Sequence, residues 1–400
     1  MSKIALVLAV SAAVAAGGAG AAGDMDTVLG KALFERDWIP APVSTDSADG
    51  LGPLFGARSC AGCHAGEART ARFTEARKGK IAARGLVVRF GDSDGRPDPV
   101  YGRLLQNQAV EGMLPEGRAV VRSSGDGASG YELALHLNRG ALDPATRRSM
   151  RLAPPLAGRA LLERIDRDAV LALADPGDRD GDGVSGRARR VGEDGRLGRY
   201  GWKAANASLG EQVADAFALE LGLSSPSRPL PHGDCTPLEP DCLAAPGGES
   251  ERHQGNEISG EMIALVASFV ASLDAPARQA GGDAGKNLFA DVGCAACHVP
   301  NLPGADGEDV AAYTDLLLHD MGPALDDGVG EVGVASSEWR TAPLLAISGG
   351  DGRRYLHDGR AKNVDAAIRA HAGEAEAARR KFERLSESEK AALLAFVENL

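Results

Sequence analysis

Aromatic residues are scarce in this chain of 400 residues, since Phe, Trp and Tyr together make up only 4% of it. Basic residues are also in the minority, and the formal net charge is −12. Nucleic acids and anionic membrane surfaces repel such a chain, so neither is expected as a partner. The apolar fraction of 44% still allows a buried core, and the length suits two domains.

Long apolar runs are absent after the start of the chain, which reads MSKIALVLAVSAAVAAGGAGAAGD. One lysine precedes a short apolar run, and small residues follow up to Ala22 and Gly23, as in a secretory signal. An uncleaved membrane anchor is the alternative, although the run is short and rich in glycine. We expect a signal peptide at 1–23 and a periplasmic or otherwise exported protein with no stable membrane span after cleavage.

Cysteine is rare, and its six copies fall into three close pairs. Cys235 and Cys242 lie in the Pro-rich stretch GDCTPLEPDC, with no histidine beside them. In an oxidising compartment such a pair favours a local disulfide, and two free thiols are the alternative.

The other four cysteines belong to two Cys-x-x-Cys-His motifs, ARSCAGCHAG and DVGCAACHVP. In this motif two thiols add to the vinyl groups of haem and the histidine binds the iron. A thioredoxin-type dithiol or a structural disulfide needs no histidine there, and a zinc ribbon needs converging knuckles with further ligands. The motifs predict two covalently bound haem c groups, attached and ligated by Cys60, Cys63 and His64 and by Cys294, Cys297 and His298.

The sequence around the motifs is also duplicated. GKALF (30–34) and GKNLF (285–289) each resemble the opening helix of a class I cytochrome c. Residues 257–278 and the C-terminal LSESEKAALLAFVENL, with Ser386 as its N-cap, have the apolar spacing of closing helices.

These repeats predict a mainly α fold with two tandem class I cytochrome c-like domains, 24–278 and 279–400, joined near 275–285. The first domain is predicted to carry a large insertion, about 75–190, with irregular and short β structure such as RGLVVRF.

Four further segments carry a family resemblance: YTDLLLHDMG (313–322), EWRTAPLL (338–345), YLHDGRA (355–361) and DPGDRDGDGVSGR (175–187). Together they resemble the bacterial di-haem oxidoreductases, some of which are named thiol oxidoreductases. These proteins are related to the bacterial di-haem cytochrome c peroxidases and to the methylamine-pathway di-haem enzyme. The resemblance covers nearly the whole mature chain and implies a haem-dependent oxidoreductase of peroxidase type.

The resemblance also implies unequal roles for the two haems. The N-terminal haem would meet peroxide or another small oxidant, and the C-terminal haem would relay electrons from a small periplasmic donor protein. A non-catalytic electron-transfer cytochrome and an enzyme that oxidises a partner protein are the alternatives.

For the C-terminal haem, the relatives place a distal ligand after an FHDG-like turn, which is represented here by His357. His371 follows at the matching distance where the relatives have Met or Tyr, so we expect the pair His298 and His371 on a low-spin iron of lowered potential. An exposed His371, with His319 as the ligand, is the alternative.

For the N-terminal haem, the resemblance implies that Trp202 carries electrons between the haems, that Gln212 orients peroxide and that Glu220 moves its proton. Glu220 comes two positions earlier than in the relatives. A core tryptophan and a solvated helix face are the alternative. No sixth ligand is obvious among His136, Met113 and Met150, so an open iron is expected.

The Asp-rich segment resembles the start of an EF-hand calcium loop. Asp178, Asp180 and Asp182 alternate before Gly183, but Arg189 replaces the glutamate expected at the twelfth position. The loop either binds calcium or forms a solvated turn. Relatives that bind calcium between their haem domains favour calcium binding.

Overall fold

The computed structural model describes residues 17–42, 49–64, 72–75, 80–123, 131–275, 277, 282–347 and 352–400. The chain is 30% helical and 19% strand, with several small sheets. The prediction of a mainly α protein is therefore wrong. Its physical reason lies in the first half of the chain, where short β-forming segments pair with one another instead of ending as irregular loops.

The helices, in chain order, are α1 (Gly17–Glu35), α2 (Cys60–Cys63), α3 (Leu161–Arg164), α4 (Arg167–Leu173), α5 (Leu209–Glu220), α6 (Pro240–Leu243), α7 (Gly260–Ala271), α8 (Asp283–Val292), α9 (Val364–Arg369), α10 (Glu376–Arg384) and α11 (Glu387–Glu398). Short 3₁₀ turns cover Glu251–His253, Cys294–Ala296 and Gly373–Ala375.

The strands are β1 (Leu54–Phe55), β2 (Arg72–Glu75), β3 (Lys80–Arg84), β4 (Leu86–Gly91), β5 (Gln108–Ala109), β6 (Gly117–Ser123), β7 (Tyr131–Leu137), β8 (Arg147–Leu152), β9 (Arg190–Val191), β10 (Arg196–Leu197), β11 (Leu302–Pro303), β12 (Asp309–Val310), β13 (Leu318–Asp320) and β14 (Glu338–Arg340).

The strands between β2 and β8 form an antiparallel layer. One sheet has the order β2-β3-β6-β7, and β4 pairs separately with β8. The segment RGLVVRF forms β4, as predicted, because Val88 and Phe90 alternate into the interior while Val87 and Arg89 are only partly buried. In the β4–β8 pair, Val88 lies opposite Met150.

The opening and closing helices pair in the same way in both halves of the chain. Helix α1 packs on α7, and α8 packs on α11. A Cβ at Gly30 would lie 1.9 Å from the Leu265 carbonyl oxygen, and a Cβ at Gly285 would lie 2.4 Å from that of Ala392. The glycine of each GK-x-LF segment is thus needed for close approach of two helix backbones.

Edge-to-face phenylalanine pairs lie beside these crossings. The ring centroids of Phe34 and Phe269 are 5.1 Å apart, and those of Phe289 and Phe396 are 5.5 Å apart. The first pair belongs to the larger core cluster, and the second to a separate cluster. The two helix pairs therefore each build an apolar core of their own.

The helix termini follow the sequence signals closely. Ser386 caps α11, and Glu389 completes a capping box with it, so the predicted cap is confirmed. Ser259 caps α7 in the same manner, but that helix ends at Ala271, earlier than the predicted end at 278. Cys235 and Cys242 form a disulfide, with their Cα atoms 6.1 Å apart.

Most of the predicted signal peptide, residues 1–16, lies outside the described residues. Within the described part of the chain, no helix is both long enough and apolar enough to cross a membrane.

Candidate functional site

Both Cys-x-x-Cys-His segments adopt the same tight turn. The backbone N–H of His64 donates to the Cys60 carbonyl at 2.9 Å, and that of His298 donates to the Cys294 carbonyl at 2.9 Å. All four thiols are free rather than paired in disulfides. Each segment therefore presents two reduced sulfurs and a neighbouring imidazole, the donor set that a c-type haem uses.

His298 and His371 are held in the tautomer that an iron ligand needs. Nδ1 of His298 lies 3.1 Å from the Tyr313 carbonyl oxygen, and Nδ1 of His371 lies 2.7 Å from that of Ala367. A carbonyl only accepts, so each Nδ1 carries the proton and each Nε2 keeps its lone pair. None of the hydrogen bonds among the described residues involves either Nε2.

The charge state of these two rings agrees with that assignment. Burial, followed by the nearby His371, lowers the pKa of His298 to about 4. Burial also lowers the pKa of His371. Both imidazoles are thus neutral at pH 7, and they lie close enough to influence each other. This part of the chain fits a haem that is ligated on both faces.

His319, the alternative ligand, is occupied on both nitrogens. Its Nε2 lies 2.9 Å from Asp315 Oδ2, and its Nδ1 lies 2.7 Å from Glu374 Oε2. Burial lowers the pKa of His319, but interactions with Asp315, Cys297 and Glu374 outweigh it and raise the pKa to about 12. A doubly protonated imidazolium has no lone pair for a metal, so this geometry favours His371 over His319 as the ligand.

Glu374 connects His319 to two other segments. Its carboxylate accepts hydrogen bonds from the backbone N–H and hydroxyl of Ser185, at 2.9 and 2.8 Å, and from the backbone N–H of Asp320 at 3.0 Å. Glu374 follows His371 by three residues and Ser185 follows the Asp-rich loop, so the carboxylate ties both segments to His319. We call His319, Glu374 and Ser185 the carboxylate clamp.

Three rings connect the two halves of the chain. The rings of Trp202 and His357 meet edge-on with centroids 6.5 Å apart, and His357 stacks on Trp339 at 3.8 Å. The indole N–H of Trp202 donates to the Leu152 carbonyl at 2.8 Å. Trp202 therefore has a fixed orientation beside another aromatic ring, which suits the predicted electron-transfer role.

Trp202 and His357 occupy equivalent turns. Tyr200 pairs with Asn206 across one turn, and Tyr355 pairs with Ala361 across the other. Ser208 caps the helix that follows the first turn, and Asn363 caps the helix that follows the second. Trp202 and His357 each lie two residues after the tyrosine, so they are counterparts.

Lys203 covers the far side of the ring stack. Its Nζ lies 3.8 Å from the Trp339 ring centroid and donates to the carbonyls of Ala335, Ser336 and Glu338 at 2.7–2.9 Å. Burial lowers the pKa of Lys203 to about 7. Three simultaneous donations require the three N–H bonds of the ammonium group, so we assign the charged form.

A cleft adjoins the N-terminal motif. It contains about 660 Å³ of space free of protein atoms, part of it open to solvent. Cys63 lines it, together with Gly56, Glu220 and apolar strand residues including Leu86, Val88 and Val121. A thiol of the motif and a carboxyl group thus face one cleft, whose other lining residues apart from Asn107 are Gly, Ala, Val and Leu, the types that pack against a planar hydrophobic cofactor.

Glu220 is the acid of this cleft. It ends α5, and a Cβ at Gly56 would lie only 3.3 Å from its Oε2. Burial raises the pKa of Glu220 to about 7, against the lowering effect of Arg89. A carboxyl group with this pKa can both accept and return a proton near neutral pH.

Gln212 does not join Glu220 in the cleft. Its Oε1 accepts a hydrogen bond from Asn206 Nδ2 at 3.3 Å and lies near Gly201, the residue before Trp202. Gln212 is not among the lining residues. The two side chains share a helix but face different neighbours, so the structure gives the predicted peroxide-orienting role of Gln212 no support.

The residues considered and not favoured as sixth ligands of the N-terminal haem are outside the cleft lining. His136 is exposed on β7 opposite Arg118, and Met113 lies in a turn. Met150 packs in one cluster with Leu86 and Val121, which themselves line the cleft, but Met150 is not among the lining residues. The described residues of the cleft thus present Glu220 and no lone-pair ligand of the His or Met type.

The three aspartates of the Asp-rich loop do converge. Carboxylate oxygens of Asp178, Asp180 and Asp182 lie within 4.8 Å of one another. Oxygen ligands in this spacing suit calcium. Arg189, at the twelfth position, instead pairs with Glu331 at 2.5 Å. The prediction of a calcium ion here remains a prediction.

Sequence reasoning missed several residues that shape the site. Asp315 and Glu374 hold His319 although Glu374 is 55 positions away along the chain, and no local spacing reveals such a pair. Trp339 stands in a segment that was noted for resemblance, but only the fold brings it against His357.

Comparison with known protein families agrees with haem as the cofactor. The model of the family described as "Di-haem oxidoreductase, putative peroxidase" matches residues 136–400, which include the second Cys-x-x-Cys-His motif but not the first. The search of curated proteins finds no match.

Among solved structures, the chain is similar to hydrazine synthase from Kuenenia stuttgartiensis pressurised with xenon, at 22% identity and a TM-score of 0.27. That likeness covers 37% of this chain and 58% of the other, and a TM-score this low carries no argument about the fold. Because the family model matches more than half of the chain, the protein belongs to the di-haem oxidoreductases and is an enzyme of this peroxidase-type family.

Proposed function

We propose that the protein is an exported oxidoreductase of peroxidase type that carries two covalently attached haem c groups. Cys60, Cys63 and His64 would hold one haem, and Cys294, Cys297 and His298 the other. The identical turns and the free thiols of the two motifs support this assignment. Haem iron would supply oxidant binding and one-electron transfer.

The observation that carries the proposal is the position of Glu220 in the cleft beside Cys63. With a pKa of about 7, the Glu220 carboxylate could accept a proton from a peroxide held in the cleft, where a haem attached to Cys63 would supply the oxidant-binding iron. The same Oε2 can then return that proton to the departing oxygen. Leu86, Val88 and Val121 form apolar walls beside this transfer.

The C-terminal motif is proposed to serve electron relay. His298 and His371 both offer an Nε2 lone pair, and two imidazole ligands leave no position for an oxidant. Trp202 and His357 lie between the two halves and keep their rings in contact. A small periplasmic donor protein would deliver the electrons, and peroxide or another small oxidant would receive them.

The proposal includes the predicted organisation of the chain. Residues 1–23 would be the signal peptide, and 24–278 and 279–400 would be the two cytochrome c-like units. The matching helix crossings at Gly30 and Gly285 support two units of common origin.

The test compares absorption and EPR spectra of the haem-loaded protein, oxidised and half-reduced, before and after addition of H2O2. We expect one high-spin signal that peroxide removes and one low-spin signal that persists. The variant His371→Met should alter only the low-spin signal. Two low-spin signals that ignore peroxide in both redox states would instead identify an electron-transfer cytochrome without a substrate.

A further inference from the structure

Three arginines are buried together where the two halves of the chain meet. Arg159, Arg340 and Arg353 are each only 8% exposed. Arg340 and Arg353 lie close enough to Arg159 for their charges to lower its pKa. We call these three residues the buried arginine cluster.

The partners of this cluster are neutral carbonyls. Arg159 Nε donates to the Pro155 carbonyl at 2.6 Å, while its Nη1 is buried without a hydrogen-bond partner. Arg340 donates from Nε to Gly201 at 3.1 Å and from Nη1 to its neighbour Thr341 at 2.8 Å. Within the described part of the chain, neither Arg159 nor Arg340 forms a direct ion pair with a carboxylate, although the charge of Asp315 lies near enough to Arg340 to raise its pKa against the effect of burial.

Burial of these guanidinium groups without an anionic partner lowers the stability of the fold. Burial is the main cause that lowers the pKa of Arg159 to about 9 and that of Arg340 to about 10, and for Arg159 the like charges of its neighbours add to it. Burying an uncompensated cation costs several kcal/mol in protein interiors. An unbonded guanidinium N–H therefore indicates a missing anion rather than a structural role.

The position of the cluster narrows the choice of anion. Arg340 directly follows Trp339, and its Nε donates to the residue before Trp202, so the cluster adjoins the contact of the Trp202, His357 and Trp339 rings. A guanidinium matches a carboxylate in a planar, two-point hydrogen bond. Haem brings two propionate carboxylates on flexible arms, which can enter a buried site that bulk anions reach with difficulty.

We infer that the buried arginine cluster binds a propionate carboxylate of one of the two haems, with Arg159 and Arg340 as its hydrogen-bond donors. This inference rests on the presence of the haems in the proposed function. Positive charge held against a propionate disfavours the additional positive charge of the ferric state. The cluster therefore raises the reduction potential of the haem that it contacts.

The experiment uses the haem-loaded protein and the variants Arg159→Gln and Arg340→Gln. The control is Arg199→Gln, since Arg199 is also partly buried and donates to a carbonyl, that of Leu162 at 2.6 Å, but lies outside the cluster. Spectroelectrochemical titration gives the midpoint potential of each haem. Resonance Raman spectra report the propionate bending modes, which respond to hydrogen bonding.

We expect both cluster variants to lower the midpoint potential of the same haem. The reduction equilibrium should shift at least tenfold, which corresponds to about 59 mV for one electron. The propionate modes should shift as well, and Arg199→Gln should do neither. The low-spin or high-spin spectrum of the shifted component identifies which haem supplies the propionate. Arg159→Lys, which keeps the charge, should restore most of the potential.

Two outcomes would overturn the inference. One is unchanged potentials and propionate modes in both cluster variants of a protein that carries two haems. The other is a potential shift that follows the concentration of added phosphate, because the bound anion would then be exchangeable. A purified protein without haem absorbance would instead refute the proposed function.

Discussion

The carboxyl group of Glu220 offers the sharpest test, because the proposed function and the stability of the fold place opposite demands on it. The change is Glu220→Gln, which keeps the shape and removes the ionisable group. Proton transfer by a positioned side chain typically contributes 10²–10⁴-fold to a rate, so we expect kcat/KM for peroxide to fall by about that factor. The wild-type rate should rise with pH through about 7, because the carboxylate is the acceptor, and the variant should lose this dependence.

The free energy of unfolding of Glu220→Gln should increase, whereas its activity decreases. Burial raises the pKa of Glu220 from 4.5 to about 7. Between these values the unfolded chain ionises while the folded protein does not, so stability falls as the pH rises from 4.5 through 7. At about 1.4 kcal/mol per pH unit, the full penalty above pH 7 is at most about 3 kcal/mol, because the cleft leaves part of the side chain exposed to screening solvent. Glutamine cannot ionise and removes this penalty, so Glu220→Gln should stabilise the protein at pH 8 and hardly at all at pH 4.

The assay combines peroxide kinetics with urea unfolding at pH 4 and pH 8. Glu116→Gln is the matched control. Glu116 is buried, and burial raises its pKa to about 9, so by the same linkage Glu116→Gln should also stabilise the protein more at pH 8 than at pH 4, but it should leave peroxide turnover unchanged. Glu116 does not line the cleft. The reasoning would be refuted if Glu220→Gln kept the wild-type turnover, or if its effect on stability were the same at both pH values.

Three further predictions concern other parts of the chain. His371→Met should raise the midpoint potential of the low-spin haem, because a thioether ligand favours the reduced iron, and a redox titration showing no rise would exclude His371 as a ligand. Glu331→Gln should cost about 3 kcal/mol at pH 7. Burial opposes the charge of Glu331, but three arginines outweigh it and lower its pKa to about 2. The wild-type protein should therefore lose stability as the pH falls from 4.5 to 2, and the destabilisation caused by Glu331→Gln should shrink over the same range. Urea unfolding at several pH values measures both. Gly30→Ala should cost at least about 3 kcal/mol in thermal unfolding, because its Cβ would meet a helix backbone, whereas Gly260→Ala, which meets nothing within 4 Å, should be neutral or stabilising.

Local signals in the sequence were good guides where the responsible residues are neighbours in the chain. The Ser386 cap, the β4 strand and the disulfide of Cys235 with Cys242 are all confirmed, and each depends on residues within a few positions. The family was also recognised correctly from four separated segments.

The prediction of a mainly α fold was wrong because the strands of the first half give weak signals. Segments such as Lys80–Arg84 are rich in Arg, Lys and Ala, and they become strands only through pairing with distant partners such as β6. Tertiary pairing decides such segments, and no periodicity in the sequence reveals it.

The candidate site shows the same limit. Helical spacing placed Gln212 and Glu220 on one face, but eight residues at a rise of about 1.5 Å separate them by roughly 12 Å along α5. Two side chains at that separation meet different neighbours, and the fold sends only Glu220 into the cleft. The contacts of Arg340 with Gly201 and of His319 with Glu374 were unpredictable for a related reason, because these partners lie far away along the chain.

The contact between Trp202 and His357 bears on how the chain arose. In an isologous dimer, residues beside the two-fold axis touch their own copies in the partner subunit. Trp202 and His357 are counterparts on equivalent turns, and they touch each other. A single-unit ancestor would therefore have dimerised through this turn with the same residue on both sides. A single chain with two such units is free of that symmetry constraint, so the two sides can differ, as the indole of Trp202 and the imidazole of His357 do.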